Sequence, residues 1–311
     1  MSDSRKLGAF LVLAFLIMAN ANAVFSGWLL QSVPPFTLLF WGFLITTLFF
    51  FVRLSVSQGV AALKIPRASL MGLITLNLAS GISWIGYYCA LKFIEPAIVS
   101  ALMGCIGPLF ILMVGFISQR RISINQVITS AGIIAGTAVL SWASIADRSA
   151  VQNVAVNHVL LGLGAAFIGG FGQVLTTLST KKLANQNWSA SQIMAHRFYL
   201  LTAVAAVVAL NSTGLLLNSP AGMVSVGTVS VLGILVPLWL LQKGIIISSP
   251  FTVSVLLSLG PLMTLLFQGF DSRLLWSNMS VVGCGIIVLS TLNNFAFSQK
   301  APQISRTNSQ G

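Results

Sequence analysis

From Leu7 to Phe297 the chain is a succession of apolar runs of roughly twenty residues, each nearly free of charge. Short segments separate them, most carrying one or two charges. Twenty residues of helix rise about 30 Å, the thickness of a bilayer's hydrocarbon core. Lipid offers no partner for backbone N–H and C=O groups, so runs of this kind cross as helices. The pattern predicts an all-α, polytopic membrane protein with ten spans: 7–30, 34–53, 68–91, 95–117, 124–145, 158–180, 190–211, 223–242, 250–269 and 275–297. Pro34-Pro35, Pro66, Pro96, Pro220 and Pro250 mark helix starts or loops.

The charges orient these spans. With the N-terminus inside, the inner loops and tails hold Arg5, Lys6, Arg53, Lys64, Arg67, Arg120, Arg121, Lys181, Lys182, Lys243, Lys300 and Arg306. The outer loops hold Lys92, Arg148 and Arg273, and Arg197 lies inside a span. Twelve basic residues inside against three outside predict cytoplasmic termini, and a miscounted span would scramble the alternation. The net charge of +12 therefore reports topology and gives no reason to expect a nucleic acid partner. Arg5-Lys6, the run to Met18 and Ala21-Asn22-Ala23 resemble a cleavable signal. The apolar character resumes at Val24, however, and the expectation is an uncleaved first helix. The last polar stretch, 298–311, reads as a disordered cytoplasmic tail.

A shift of 153 positions lays one part of the chain on another. Gly107-Pro108-Leu109 falls on Gly260-Pro261-Leu262, Arg120 on Arg273, Asn125 on Asn278 and Gly132-Ile133-Ile134 on Gly285-Ile286-Ile287. Two units follow, 1–147 and 158–297. Five spans apiece is an odd number, so the second unit enters the membrane from the opposite side. Inverted repeats are a signature of alternating-access carriers, whose site lies near the midplane between the halves.

The order and spacing of Ala90-Leu91-Lys92-Phe93-Ile94, Gly107-Pro108, the glycine-rich Ala131 to Gly136, Leu241-Gln242-Lys243, Gly260-Pro261-Leu262 and Gly283 to Ile287 resemble the drug/metabolite transporter superfamily, in particular its EamA-type members. The resemblance runs over nearly the whole chain. It implies ten helices in two five-helix repeats, carriage of a small metabolite or drug-like solute, and residence in a bacterial inner membrane. Exporters are common in the family, which favours efflux; uptake of an amino acid, nucleoside or vitamin is the alternative. Arg197 stands where the family often carries an arginine early in a half's second helix. Trp41 occupies the matching region of the first half.

Arg197 is the foremost candidate for solute binding, since a charge this deep needs pairing or hydration. It either lines a central cavity as an anion contact or serves structurally by snorkelling or bonding to carbonyls. Asn20, Asn22, Trp84 and Gln173 are further candidates, because polar groups in lipid face the bundle interior. Tyr87 and Tyr88, near a helix end, read as interfacial anchors, and His196 as a packing residue. Gly107-Pro108 and Gly260-Pro261 read equally as hinges at the gates or as static kinks. Gly132 and Gly136 suit close helix packing, and nothing in the sequence specifically supports a homodimer.

No catalytic or cofactor chemistry is indicated. Asp3, Glu95, Asp147 and Asp271 fall in tails, loops or helix ends, so no mid-membrane carboxylate relay is expected. Gly162-Leu163-Gly164 fails the dinucleotide pattern at Phe167. Cys89, Cys105 and Cys284 lack metal-ligand spacing. An intramembrane enzyme acting on lipid, the alternative of a different class, would need a polar cluster that these scattered singletons do not provide.

Overall fold

The computed structural model describes residues 3–117, 123–146, 151, 154–212, 214–217, 219–271, 274 and 277–298. The repeat markers Arg120 and Arg273 lie outside the described residues, as do Arg121, Asp147, Arg148, Lys300, Arg306 and the tail beyond Ser298.

The described chain is helical, with no strand among the described residues. The first half forms α1 (Asp3–Leu29), α2 (Pro35–Gln58), α3 (Leu70–Phe93), α4 (Pro96–Ile117) and α5 (Ile124–Ile145). Two 3₁₀ turns, Val60–Leu63 and Arg67–Ser69, join α2 to α3. Pro35 sits in the first turn of α2, where its missing N–H costs nothing. Ser123 and Gln126 form a reciprocal capping box that starts α5.

The second half is less regular. It comprises α6 (Val156–Ala184), α7 (Ala190–His196), α8 (Tyr199–Ser212), α9 (Pro220–Thr228), a π-helical stretch Val229–Leu235, α10 (Val236–Ile247), α11 (Pro250–Leu257), α12 (Gly260–Gln268) and α13 (Asn278–Ser298). Three of the expected spans therefore change character. The run 190–211 is interrupted at Arg197-Phe198, and the run 250–269 at Ser258-Leu259. The run expected over 223–242 extends from Pro220 to Ile247 and passes through the π turn.

Each irregularity has a local cause. Pro261 has no N–H to give Leu257, so the helix stops and restarts with Gly260-Pro261 in its first turn. Pro237 likewise gives no N–H to Gly233, and the π stretch lies just upstream. At Arg197 the cause lies in another helix, described below.

Among the described residues, seven stretches are long and apolar enough to cross a membrane: Lys6–Leu29, Pro35–Gln58, Val60–Phe93, Ile124–Ile145, Val156–Ala184, Ala190–Ser212 and Pro220–Ile247. Pro96–Phe110, Val255–Gln268 and Asn278–Asn293 are shorter apolar helices. Large apolar side chains such as Phe10, Val52, Trp142 and Leu210 are more than 60% exposed, as expected of a lipid-facing surface. This is a multi-pass membrane protein.

Small residues set the packing. The broadest contacts join α3 to α6, α5 to α13 and α1 to α10. A Cβ placed on Gly172 would lie 2.6 Å from Ser83 N and 2.7 Å from Ala79 O, so only glycine lets α6 approach α3 this closely. Gly136 and Gly283 face each other's carbonyl oxygens in the same way where α5 meets α13. The Gly132–Gly136 spacing is thus used within the chain. Further contacts place α4 on α6, α1 on α11 and α12, α2 on α7 and α8, and α4 on α11 and α12. These surround a central space.

Candidate functional site

A cavity of about 90 Å³ opens where helices of both halves converge. Its wall takes Phe15, Leu16, Ala19 and Asn20 from α1, Ser83, Trp84 and Tyr87 from α3, and Ser100, Met103 and Gly104 from α4. The second half supplies Gln173, Thr176 and Thr177 from α6, Arg197 from the α7–α8 break, Leu238, Leu241 and Ile245 from α10, and Leu257 from α11. Four of the five solute-binding candidates, Arg197, Asn20, Trp84 and Gln173, meet here. Asn22 does not. Its carboxamide lies over Gly233 in the π stretch, where any side chain would collide with it.

Arg197 is 3% exposed. Its Nε donates to Ser80 Oγ at 2.9 Å and its Nη1 to Gln242 Oε1 at 3.1 Å, which ties it to α3 and α10. Its Cζ stands 5.0 Å from the centroid of the Phe198 ring. Hydrogen bonds to a charged group contribute about 1.5–3 kcal/mol each. These two fix the guanidinium in place, but both partners are neutral, so the positive charge stays in the bundle. The snorkelling alternative does not describe this side chain, because it is held inward by two named acceptors.

The break that places Arg197 at the cavity is made by Asn77 of α3. An unbroken helix would bond Leu200 N–H to His196 C=O. Here the Asn77 carboxamide stands between them: Oδ1 accepts from Leu200 N at 3.3 Å and Nδ2 donates to His196 O at 2.8 Å. Nδ2 also donates to Leu73 O at 3.0 Å, anchoring the amide to its own helix. A side chain inserted into the ladder is a recognised origin of helix kinks. His196 packs as expected, edge-on to Phe51 and Trp188, with Nδ1 2.7 Å from the Tyr199 hydroxyl.

Asn20 forms a second polar knot. Its Oδ1 accepts from Ser100 Oγ at 3.1 Å and Thr264 Oγ1 at 2.6 Å, while Nδ2 donates to Leu16 O at 2.7 Å. It thereby joins α1, α4 and α12 at the cavity's edge. Gly260 lies directly over Ser100, close enough that a Cβ would collide with its hydroxyl. The break before α12 is thus linked to this knot.

The aromatic wall corrects one expectation. Tyr88 is fully buried and Tyr87 lines the cavity, 5.5 Å from Trp84 in an edge-to-face pair. Neither is an interfacial anchor. Their place in the last two turns of α3 suggested an interface, but α3 packs on α1, α4 and α6. Sequence reading also missed Ser80, Ser100, Gln242 and Asn77. Each is a polar residue within an apolar run, which is the same signal that singled out Asn20 and Gln173.

The two Gly-Pro sites are not conformationally equal. Pro108 lies within a continuous helix, whereas Pro261 begins a new one. Gly107 borders a small crevice that also touches Gln173 and Leu257. Two other residues take structural roles. Trp41, in the region matching Arg197, donates its Nε1 to Leu215 O at 2.9 Å. Trp239 lies beneath Lys243 Nζ at 3.8 Å and Arg53 Cζ at 5.8 Å, away from the cavity wall. Glu95, expected at a helix end, does precede α4 but is fully buried there, its Oε2 accepting from Ser280 Oγ at 3.0 Å.

No group of His, Cys, Asp or Glu among the described residues is arranged to hold a metal ion.

The architecture is that of a multi-pass helical membrane protein with a small, polar-edged cavity between its helices. Residues 6–142 match the EamA-like transporter family, so over that part of the chain the resemblance to EamA-type drug/metabolite transporters, which are membrane transporters of small solutes, holds. The fold is similar to that of a protein of known crystal structure, with 18% identity, a TM-score of 0.69, and coverage of 96% of this chain and 99% of that one. No curated protein matches.

Proposed function

We propose that this protein is a secondary carrier that exports a small organic metabolite or drug-like solute by alternating access, from ten spans arranged as two inverted five-helix repeats. The observation that carries the reading is the cavity itself, lined by both halves and bordered by the interrupted helix at Arg197. Carriers place their sites at such discontinuous helices between repeats.

The packing supports the repeat. Exchanging α1 with α6, α2 with α7–α8, α3 with α9–α10, α4 with α11–α12 and α5 with α13 carries the broadest helix contacts onto one another: α3 on α6 becomes α10 on α1, and α4 on α6 becomes α12 on α1. Seven long stretches and three shorter apolar helices fit ten spans. The distribution of basic residues supports cytoplasmic termini in a bacterial inner membrane. Export is the direction the family resemblance favours. In this reading Arg197, Trp84 and Gln173 contact the solute, Asn20 knots the cavity's edge, and Gly107-Pro108 and Gly260-Pro261 flex as it opens.

Reconstitution into liposomes tests the proposal. Internal solute should accelerate uptake of the same labelled solute for at least one member of a panel of amino acids, nucleosides, vitamins and amphiphilic drugs. Absence of counterflow across the whole panel, in protein shown to be folded, would refute it.

A further inference from the structure

We infer that the solute taken by this cavity is a small organic monocarboxylate, bound with its carboxylate on Arg197 and its apolar body against Trp84. The inference rests on the carrier reading above and adds the sign of the charge and the size of the solute.

Charge comes first. A guanidinium has five N–H donors, and the bonds from Nε and Nη1 use two of them on neutral oxygens. None of the residues lining the cavity is Asp or Glu. A cationic solute would meet like charge and find no acid on the wall. A single negative charge would neutralise the guanidinium, whose planar fork matches a carboxylate in two parallel bonds. A dianion would leave one charge uncompensated away from water, at high cost.

A second donor points to the same chemistry. Thr176 lines the cavity, is 3% exposed, and its hydroxyl has no hydrogen-bond partner. Its place on the cavity wall sets it apart from the other buried hydroxyls without a partner, and a carboxylate oxygen in the cavity would complete it.

The remaining wall defines the rest of the solute. Trp84 and Phe15 present aromatic surface, while Leu238, Leu241 and Leu257 present aliphatic surface. The occupant is therefore amphipathic. About 90 Å³ is well below the roughly 300–1,000 Å³ of pockets that hold drug-sized ligands, which favours an acid of few carbons or a single ring.

The test compares acids with their uncharged and cationic counterparts on the intact protein. Thermal unfolding of purified protein is followed with acetate, butyrate and benzoate, with acetamide, butyramide and benzamide, and with butylamine and benzylamine. At least one acid should raise the unfolding midpoint while its amide does not, and the same acid should show counterflow in liposomes. Arg197→Gln should weaken that acid by about 10- to 100-fold, the worth of a charge-assisted bond. Arg197→Lys, which keeps the charge, should retain the preference for acids at lower affinity. Amides or amines that match the acids would overturn the inference, as would an acid preference that survives in Arg197→Gln. Exchange of a neutral or cationic solute, but of no acid, sinks the monocarboxylate and leaves the carrier standing. Exchange of no solute of any class sinks both.

Discussion

Asn77 completes the backbone of a helix to which it does not belong, placing its carboxamide between His196 O and Leu200 N where the two would otherwise bond each other. The break between α7 and α8 thus depends on a residue of α3. Ser80, three residues further along α3, accepts from Arg197 Nε. One helix both opens the break and holds the side chain that the break presents.

Replacing Asn77 by leucine should let the His196–Leu200 bond form and straighten the helix, drawing Arg197 away from Ser80. The expected outcome is a loss of transport of at least about tenfold, the equivalent of one lost interaction worth 1.4 kcal/mol, with membrane abundance preserved. Flux measured alongside quantitative immunoblotting checks this. Wild-type flux in Asn77→Leu would show that the break is incidental.

The α3–α6 contact gives a prediction about stability alone. Gly172 leaves no room for a side chain against Ser83 N and Ala79 O, both backbone atoms that cannot rotate away. Gly172→Val should destabilise the protein by about 1–3 kcal/mol or more, the cost of overpacking a close interface. Gly164 has open space around it and should accept alanine with little change. Thermal unfolding of the two variants in detergent would expose a wrong assignment if their midpoints fall equally.

These relationships mark how far the sequence could be read. Span positions were legible because lipid imposes a length on apolar runs, and α5 matches the expected 124–145 at both ends. Four polar residues could be placed in one cavity because each was conspicuous in an apolar run. Asn22 carried the same signal, yet its partner, Gly233, lies more than 200 positions away and has no side chain to announce the contact. The break at Arg197 was illegible for a related reason. No proline or glycine interrupts Ala190–Ser212, and the cause is Asn77 on another helix. Pro261 was visible, but whether a proline bends a helix or ends it depends on packing. Pro108, with the same local Gly-Pro-Leu sequence, is accommodated in a continuous helix.

Topology can be tested independently of transport. Reporter fusions after Lys182 and Ser298 should both report cytoplasm, since ten spans with an internal N-terminus put both positions inside. A periplasmic signal at either site would remove the inverted repeat, because the second half would no longer enter from the opposite face.

The Gly-Pro pair offers the sharpest contrast between the halves. At Pro261 the backbone is already broken, and Leu257 O lies against Gly104 of α4. Pro261→Ala restores an N–H able to reach that carbonyl, so α11 and α12 can join into one helix. Joining them would shift Gly260 from its seat on Ser100 and disturb the Asn20 knot that ties α1, α4 and α12 together. Pro108→Ala adds the same donor inside a helix that is already continuous, and has less to change. Both variants should slow turnover, Pro261→Ala by the larger factor, with solute affinity largely kept because neither proline lines the cavity. In an alternating carrier the two sites sit towards opposite gates, so labelling of single cysteines from each side of the membrane should shift in opposite directions. Equal turnover and identical labelling in the two variants would show that the break before α12 is a fixed feature of the bundle and plays no part in its opening.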